Sequence, residues 1–266
     1  MTPLEFRFAV GIALSAYSIG AASQPAVRIE YATPTSITRR EPVVLQTRVK
    51  NETGRSIEAD FGNGFVSHFE FELIGPGGSR QVARPESGLE GDRSATGGGM
   101  EPIGVVSVAP GRTAGFSLVL NRWLDFSVVG DYRLNVRFVG SIRGSQSGSL
   151  APADVAPLLI HVSPPDDAAL ARACESWAEK ASDPDAGTRI LASEALAAVK
   201  DPVVIPFLVR TALSSNNMFA EREIEALVQL GGPDARKALE EIAKSPNAMV
   251  AASARSALAR IRLPGF

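Results

Sequence analysis

A short apolar string recurs at a fixed interval in the last third of the chain. Residues 194–199 read EALAAV, residues 225–230 EALVQL and residues 256–261 SALARI, each string starting 31 residues after the one before. The register extends well beyond the string. At this offset Trp177 falls on Leu208 and Leu239, Ala181 on Ala212 and Ala243, Ala195 on Ala226 and Ala257, and Leu196 on Leu227 and Leu258. Pro202 meets Pro233, and Asp185 meets Asn216 and Asn247. A sustained period of roughly 20–50 residues marks a stacked array, because a two-helix unit cannot bury its apolar face alone. The spacing predicts helices at 166–181 and 187–199, 203–214 and 218–230, and 234–244 and 248–261. In this reading the alanines let helices approach closely and the leucines fill the space between layers.

The first part of the chain has a different period. In VVLQTRVKN, Leu45, Thr47 and Val49 alternate with Gln46, Arg48 and Lys50. In HFEFELIG, Phe69, Phe71 and Leu73 alternate with Glu70 and Glu72, and Tyr132, Leu134, Val136 and Phe138 continue the rule in YRLNVRF. Period two with one polar face predicts antiparallel strands over a core. The turn signals NETGRS, GPGG, APGR and VVGDY separate seven to nine such strands, as in a β-sandwich. Tyr132 enters its strand just after a glycine turn. That stretch resembles the tyrosine corner of immunoglobulin-like domains, which implies a Tyr132 hydroxyl bonded back to the preceding backbone.

The boundary reads SPPDD. Pro164 and Pro165 cannot continue a ladder, and Asp166 or Asp167 can cap the helix beyond. The expected division is a signal peptide at 1–23, an immunoglobulin-like β-sandwich at 26–163, a linker at 164–167 and a helical array at 168–263. The array divides at about 168–200, 201–231 and 232–263.

The helical part resembles the HEAT repeat in its short bacterial form. DPDAGTRILASEALAAV, residues 183–199, carries the family's Asp-Pro, then Arg189, then Ala192, Ala195 and Leu196. The later copies depart from it, with Ala220 and Ala251 in place of Arg189 and Glu223 in place of Ala192. The fold class implied is an immunoglobulin-like antiparallel β-sandwich followed by a short α-solenoid of three two-helix HEAT-like repeats. The resemblance covers residues 166–263 and implies an interaction scaffold.

Residues 8–23 carry no charge, follow Arg7 and end in small residues. An apolar run of about 7–15 residues with that ending reads as a secretory signal, whereas a spanning helix needs about 20 apolar residues. Cleavage after Ser23 is expected, and an uncleaved anchor helix is the alternative. One cysteine, Cys174, rules out an internal disulfide, and export from a bacterium accommodates that. The expected place is the periplasm or the medium, with no membrane span after cleavage. A net charge of −2 argues against nucleic acid, which calls for a basic face.

Chemistry is sparse. A structural zinc site takes about four Cys or His ligands, and here only His68, His161 and Cys174 qualify. No cofactor is implied. His161 sits in the apolar strand APLLIHVS, and Cys174 in a helix whose core face is expected at Ala173, Trp177 and Ala181. The glycine-rich stretch 85–104 lacks the lysine of a phosphate loop. Trp123 is either an exposed contact or a cover on the edge of the sandwich core. The run EREIE, residues 221–225, reads as a solvated face or as a partner-binding ridge on an inner helix. The candidate partner-binding residues are Arg189, Glu221, Arg222 and Glu225.

The expectation is a non-enzymatic exported protein that binds a protein partner through the repeats. The alternatives are an inhibitor-like or enzyme-accessory module working through the sandwich loops, and a lyase-related enzyme with HEAT-like repeats. His161 and a carboxylate converging in an open pocket would favour the last.

Overall fold

The computed structural model describes residues 27–63, 66–85, 103–144, 155–214 and 220–261. The expected signal segment and nearly all of the 85–104 stretch lie outside these residues.

Eleven strands among the described residues form three sheets. The first has the order β1 (Val27–Ala32), β3 (Val44–Asn51), β8 (Thr113–Val119). The second runs β2 (Ser36–Thr38), β11 (Leu158–Ser163), β9 (Gly130–Phe138), β5 (Phe69–Ile74), β6 (Arg80–Ala83). The third is β10 (Ser141–Gly144), β4 (Ile57–Asn63), β7 (Ile103–Val108). All pairs are antiparallel except β2 with β11. The count exceeds the expected seven to nine because β2, β6 and β10 have three or four residues each, too few for an alternation to show.

The alternation points inward as the sequence requires. Leu45, Thr47 and Val49 of the first sheet and Phe69, Phe71, Leu73, Tyr132 and Leu134 of the second are buried. The sandwich is of immunoglobulin type, and its tyrosine corner is in place. The Tyr132 hydroxyl donates to Val128 O at 2.8 Å and accepts from Val128 N at 3.0 Å. Gly130 makes the entry possible, since its φ is 134° and a Cβ there would lie 2.8 Å from Pro76 Cγ. Tyr132→Phe is expected to destabilise the sandwich by about 1–3 kcal/mol, because two backbone groups lose their partner at once. Urea unfolding read at constant slope checks this.

Six α-helices follow among the described residues: α1 (Asp167–Lys180), α2 (Ala186–Ala198), α3 (Ile205–Ala212), α4 (Ala220–Leu230), α5 (Gly232–Ile242) and α6 (Ala248–Leu258). They pair as α1–α2, α3–α4 and α5–α6, with α1, α3, α5 in one row and α2, α4, α6 in the other. Leu196, Leu227, Ala195, Ala226 and Ala257 are buried between layers. The caps keep the repeat register. Asp185 accepts from Thr188 N at 2.7 Å and Asn247 from Met249 N at 3.1 Å, while Asn216 lies outside the described residues. Asp166 caps α1 by accepting from Ala169 N at 2.9 Å.

The face of α1 differs from the expected one. Its buried residues are Leu170, Cys174 and Ala178, one position on from Ala173 and Trp177. Trp177 lies at the flank because the sandwich meets the array there. Val44 and Val119, opposite each other on β3 and β8, are buried on the outer face of the first sheet under Ala195, Leu191 and Ala198, with Trp177 beside them. The sandwich thus covers the open end of the stack, chiefly through α2.

Two columns that are buried in the inner layers become charged in the last described one. Ser193 and Ile224 are buried, and their register mate Arg255 is exposed and donates to Ala243 O at 3.2 Å. Ala178 and Val209 are buried, and their mate Glu240 is exposed and pairs with Arg236 at 3.2 Å. Charged side chains at such positions suit a layer that no described layer covers.

Candidate interaction surface

The row α2, α4, α6 carries charged side chains that bridge the layers. Arg222 on α4 lies 3.5 Å from Glu194 on α2, and the same Glu194 oxygen is 3.2 Å from Arg122 of the sandwich. Glu225 on α4 pairs with Arg260, just beyond α6, at 2.9 Å. Glu221 is exposed beside them. One helix therefore brings together three of the four candidate residues, and two of these also tie neighbouring layers.

Arg189 acts elsewhere. Its Nη1 donates to Asp183 O at 2.6 Å and to Pro184 O at 2.7 Å, closing the turn between α1 and α2. Its register mates Ala220 and Ala251 are buried, so this column faces inward and the arginine reaches out of it to the turn.

The EREIE run is not wholly solvated. Glu223 is 0 % exposed, in the column of the buried Ala192 and Ala254. The repeat register already marks that column as buried, and only the residue type argues for solvent.

The reactive side chains are separated. Cys174 is buried, and burial first, with the Glu41 and Asp201 charges behind it, pushes its thiol up to about 12. It stays protonated and shielded, the inert case for cysteine. His161 Nδ1 lies 2.7 Å from Asp131 Oδ1 across β11 and β9, with side chains 52 % and 89 % exposed. That pair stands on an open sheet surface and not in a pocket. His68 Nδ1 lies 3.0 Å from Asp60 O. Trp123 stacks on Phe71 at 6.1 Å with Arg122 over its ring, a cover on the edge of the core. Among the described residues, no group of three or more His, Cys, Asp and Glu gathers around a point that a metal ion would fill.

Residues 174–259 match the family model of HEAT repeats. The helical half is a HEAT-repeat array. No curated protein matches the chain. Among solved structures, the CARDB domain from Pyrococcus furiosus, in complex with di-metal ions, is 12 % identical, covering 53 % of this chain and 96 % of that one at TM-score 0.27. An alkylpurine DNA glycosylase from Pseudomonas fluorescens, bound to DNA with an abasic-site analog, is 11 % identical over 52 % of this chain and 31 % of its own at TM-score 0.25. A β-glucosidase from Listeria innocua, in complex with isofagomine, is 12 % identical over 52 % and 16 % at TM-score 0.27. Overlaps this loose transfer no activity to the HEAT array or the sandwich.

Proposed function

We propose that this is an exported, non-enzymatic protein that binds another protein through the α2–α4–α6 flank of its HEAT array. One observation carries the reading: one end of the array is covered, and the last described layer presents charged side chains at its outer face. The sandwich lies on the covered end and Arg236, Glu240 and Arg255 charge that outer face, so contact falls to the side of the stack. Short solenoids bind through such extended sides. On that side Glu221 is exposed, and Arg222 and Glu225 are half-buried. Export rests on residues 8–23, and the lone cysteine is compatible with export from a bacterium. No helix among the described residues is long and apolar enough to cross a membrane. The non-enzymatic part rests on the open setting of His161 with Asp131 and on the enclosed Cys174 thiol.

Affinity capture from the exported fraction tests this, using tagged full-length protein. Glu221→Lys should leave melting within about 0.5 kcal/mol of the parent, as exposed changes do. Recovery of the partner should fall about tenfold, equivalent to 1.4 kcal/mol. Deleting residues 86–102 should leave recovery intact. The opposite pattern would move binding to the sandwich loops and defeat the reading. The mass of the recovered protein reports in the same experiment whether the chain is cut after Ser23.

A further inference from the structure

The turn at residues 38–41 ties the sandwich to separate parts of the array. The buried Thr38 hydroxyl donates to Pro164 O at 2.8 Å and accepts from Asp166 N at 3.1 Å, clasping the linker. Asp166 is also the cap of α1, so this clasp fixes where the first helix starts. Glu41 accepts from Thr38 N at 3.1 Å and keeps the turn closed.

Arg40 reaches furthest. Its guanidinium bonds Asp201, between α2 and α3, and lies 3.9 Å from Asp167 Oδ1 at the start of α1. The Asp201 side chain is 9 % exposed, and its other oxygen accepts from Val203 N at 2.9 Å at the entry to α3. Arg40 does this in a backbone conformation that side chains rarely take. Its φ is 80°, the one positive value at a non-glycine residue among those described. Such a conformation persists only where its surroundings hold it. Glycine would be the unstrained choice here. What arginine adds is a charged head placed in a nearly enclosed carboxylate seat on the other half of the molecule.

We propose that Arg40 is a latch between the two halves. It holds the sandwich as the N-terminal cap of the HEAT array and couples the array's stability to that contact. The apolar patch under α2 is small, so the polar latch sets the angle at which the halves meet. The surface offered to a partner is then a fixed composite of both halves.

Arg40→Gly tests the latch in the full-length protein, because it relieves the backbone while removing the guanidinium. The helical far-ultraviolet signal should then melt at least about 5 °C lower, while the amides of β5 and β9 stay as protected from exchange as in the parent. Spin labels at Glu58→Cys and Lys244→Cys, with Cys174 enclosed and unlabelled, should show a narrow distance distribution in the parent and a broad one in the variant. Asp201→Asn keeps the oxygen that receives Val203 N and removes only the charge, so it should broaden the distribution as well. A narrow distribution in either variant, or an array that in Arg40→Gly melts less than about 5 °C below the parent, would overturn the latch.

Discussion

Leu227→Asp is expected to unfold the helical array and leave the sandwich folded. Leu227 is wholly buried on α4, the helix that packs against α2, α3, α5 and α6. The change removes about 1.5–3 kcal/mol of apolar burial and places a carboxylate in a wholly buried site. The sum passes the roughly 4–5 kcal/mol that marks an exceptional substitution. It takes a large share of the 5–15 kcal/mol or so that holds an ordinary domain together. Circular dichroism should show the helical signal lost at room temperature, while the amides of β3, β5 and β9 stay protected from exchange. The sandwich survives because its core is separate from that of the array. Leu258→Asp, at the same register in the last layer, should be much milder, since Leu258 is only half-buried and no described layer covers it. Equal losses at 227 and 258 would mean that burial between layers does not set the cost.

The repeat was legible because stacking presents the same packing problem in every layer, and the same residues answer it. Leu196 and Leu227 are buried where the register puts them, and Asp185 and Asn247 both cap helices. The tyrosine corner was legible because a glycine turn, a tyrosine and an alternating strand lie within one short stretch. Other features were coded less locally. Val44 breaks the alternation in VVL and Val119 does so in LVL, which signals a strand end covered on both faces. What covers them is α2, from the other half of the chain, and no nearby pattern names it. The buried face of α1 lies one residue on from the expected one because an alanine-rich helix shows its phase weakly, and Trp177, the strongest apolar marker, faces the seam. At Glu223 the register and the residue type disagreed, and the register was the better guide. Among the candidate residues, the bond from Arg189 to its own turn is local, whereas the Arg122–Glu194–Arg222 bridge joins three elements that only the folded chain brings together.

Phe61→Ala is expected to cost the sandwich about 3–5 kcal/mol, the usual range for emptying a buried aromatic site. Phe61 stands where the three sheets meet. It belongs to β4, and its ring lies 5.6 Å from Phe69 on β5, 4.7 Å from Phe116 on β8 and 5.0 Å from Phe138 on β9. Each such aromatic contact adds about 0.5–1.5 kcal/mol beyond buried area. The strand around it, IEADFGN, alternates as a half-buried strand should, with Ile57, Ala59 and Phe61 buried. Its acidic and glycine residues disguise the pattern, and the pairing of β4 with β7 shifts register just past Asp60. A cavity here loosens the third sheet from the other two and is not confined to one pair of strands. Urea unfolding should show the loss at the sandwich transition, with the helical signal less affected, and Phe61→Leu should recover part of it by keeping most of the volume. If Phe61→Ala cost no more than Tyr132→Phe, the third sheet would be an appendage on a two-sheet core, and the sandwich would owe little of its stability to the point where all three converge.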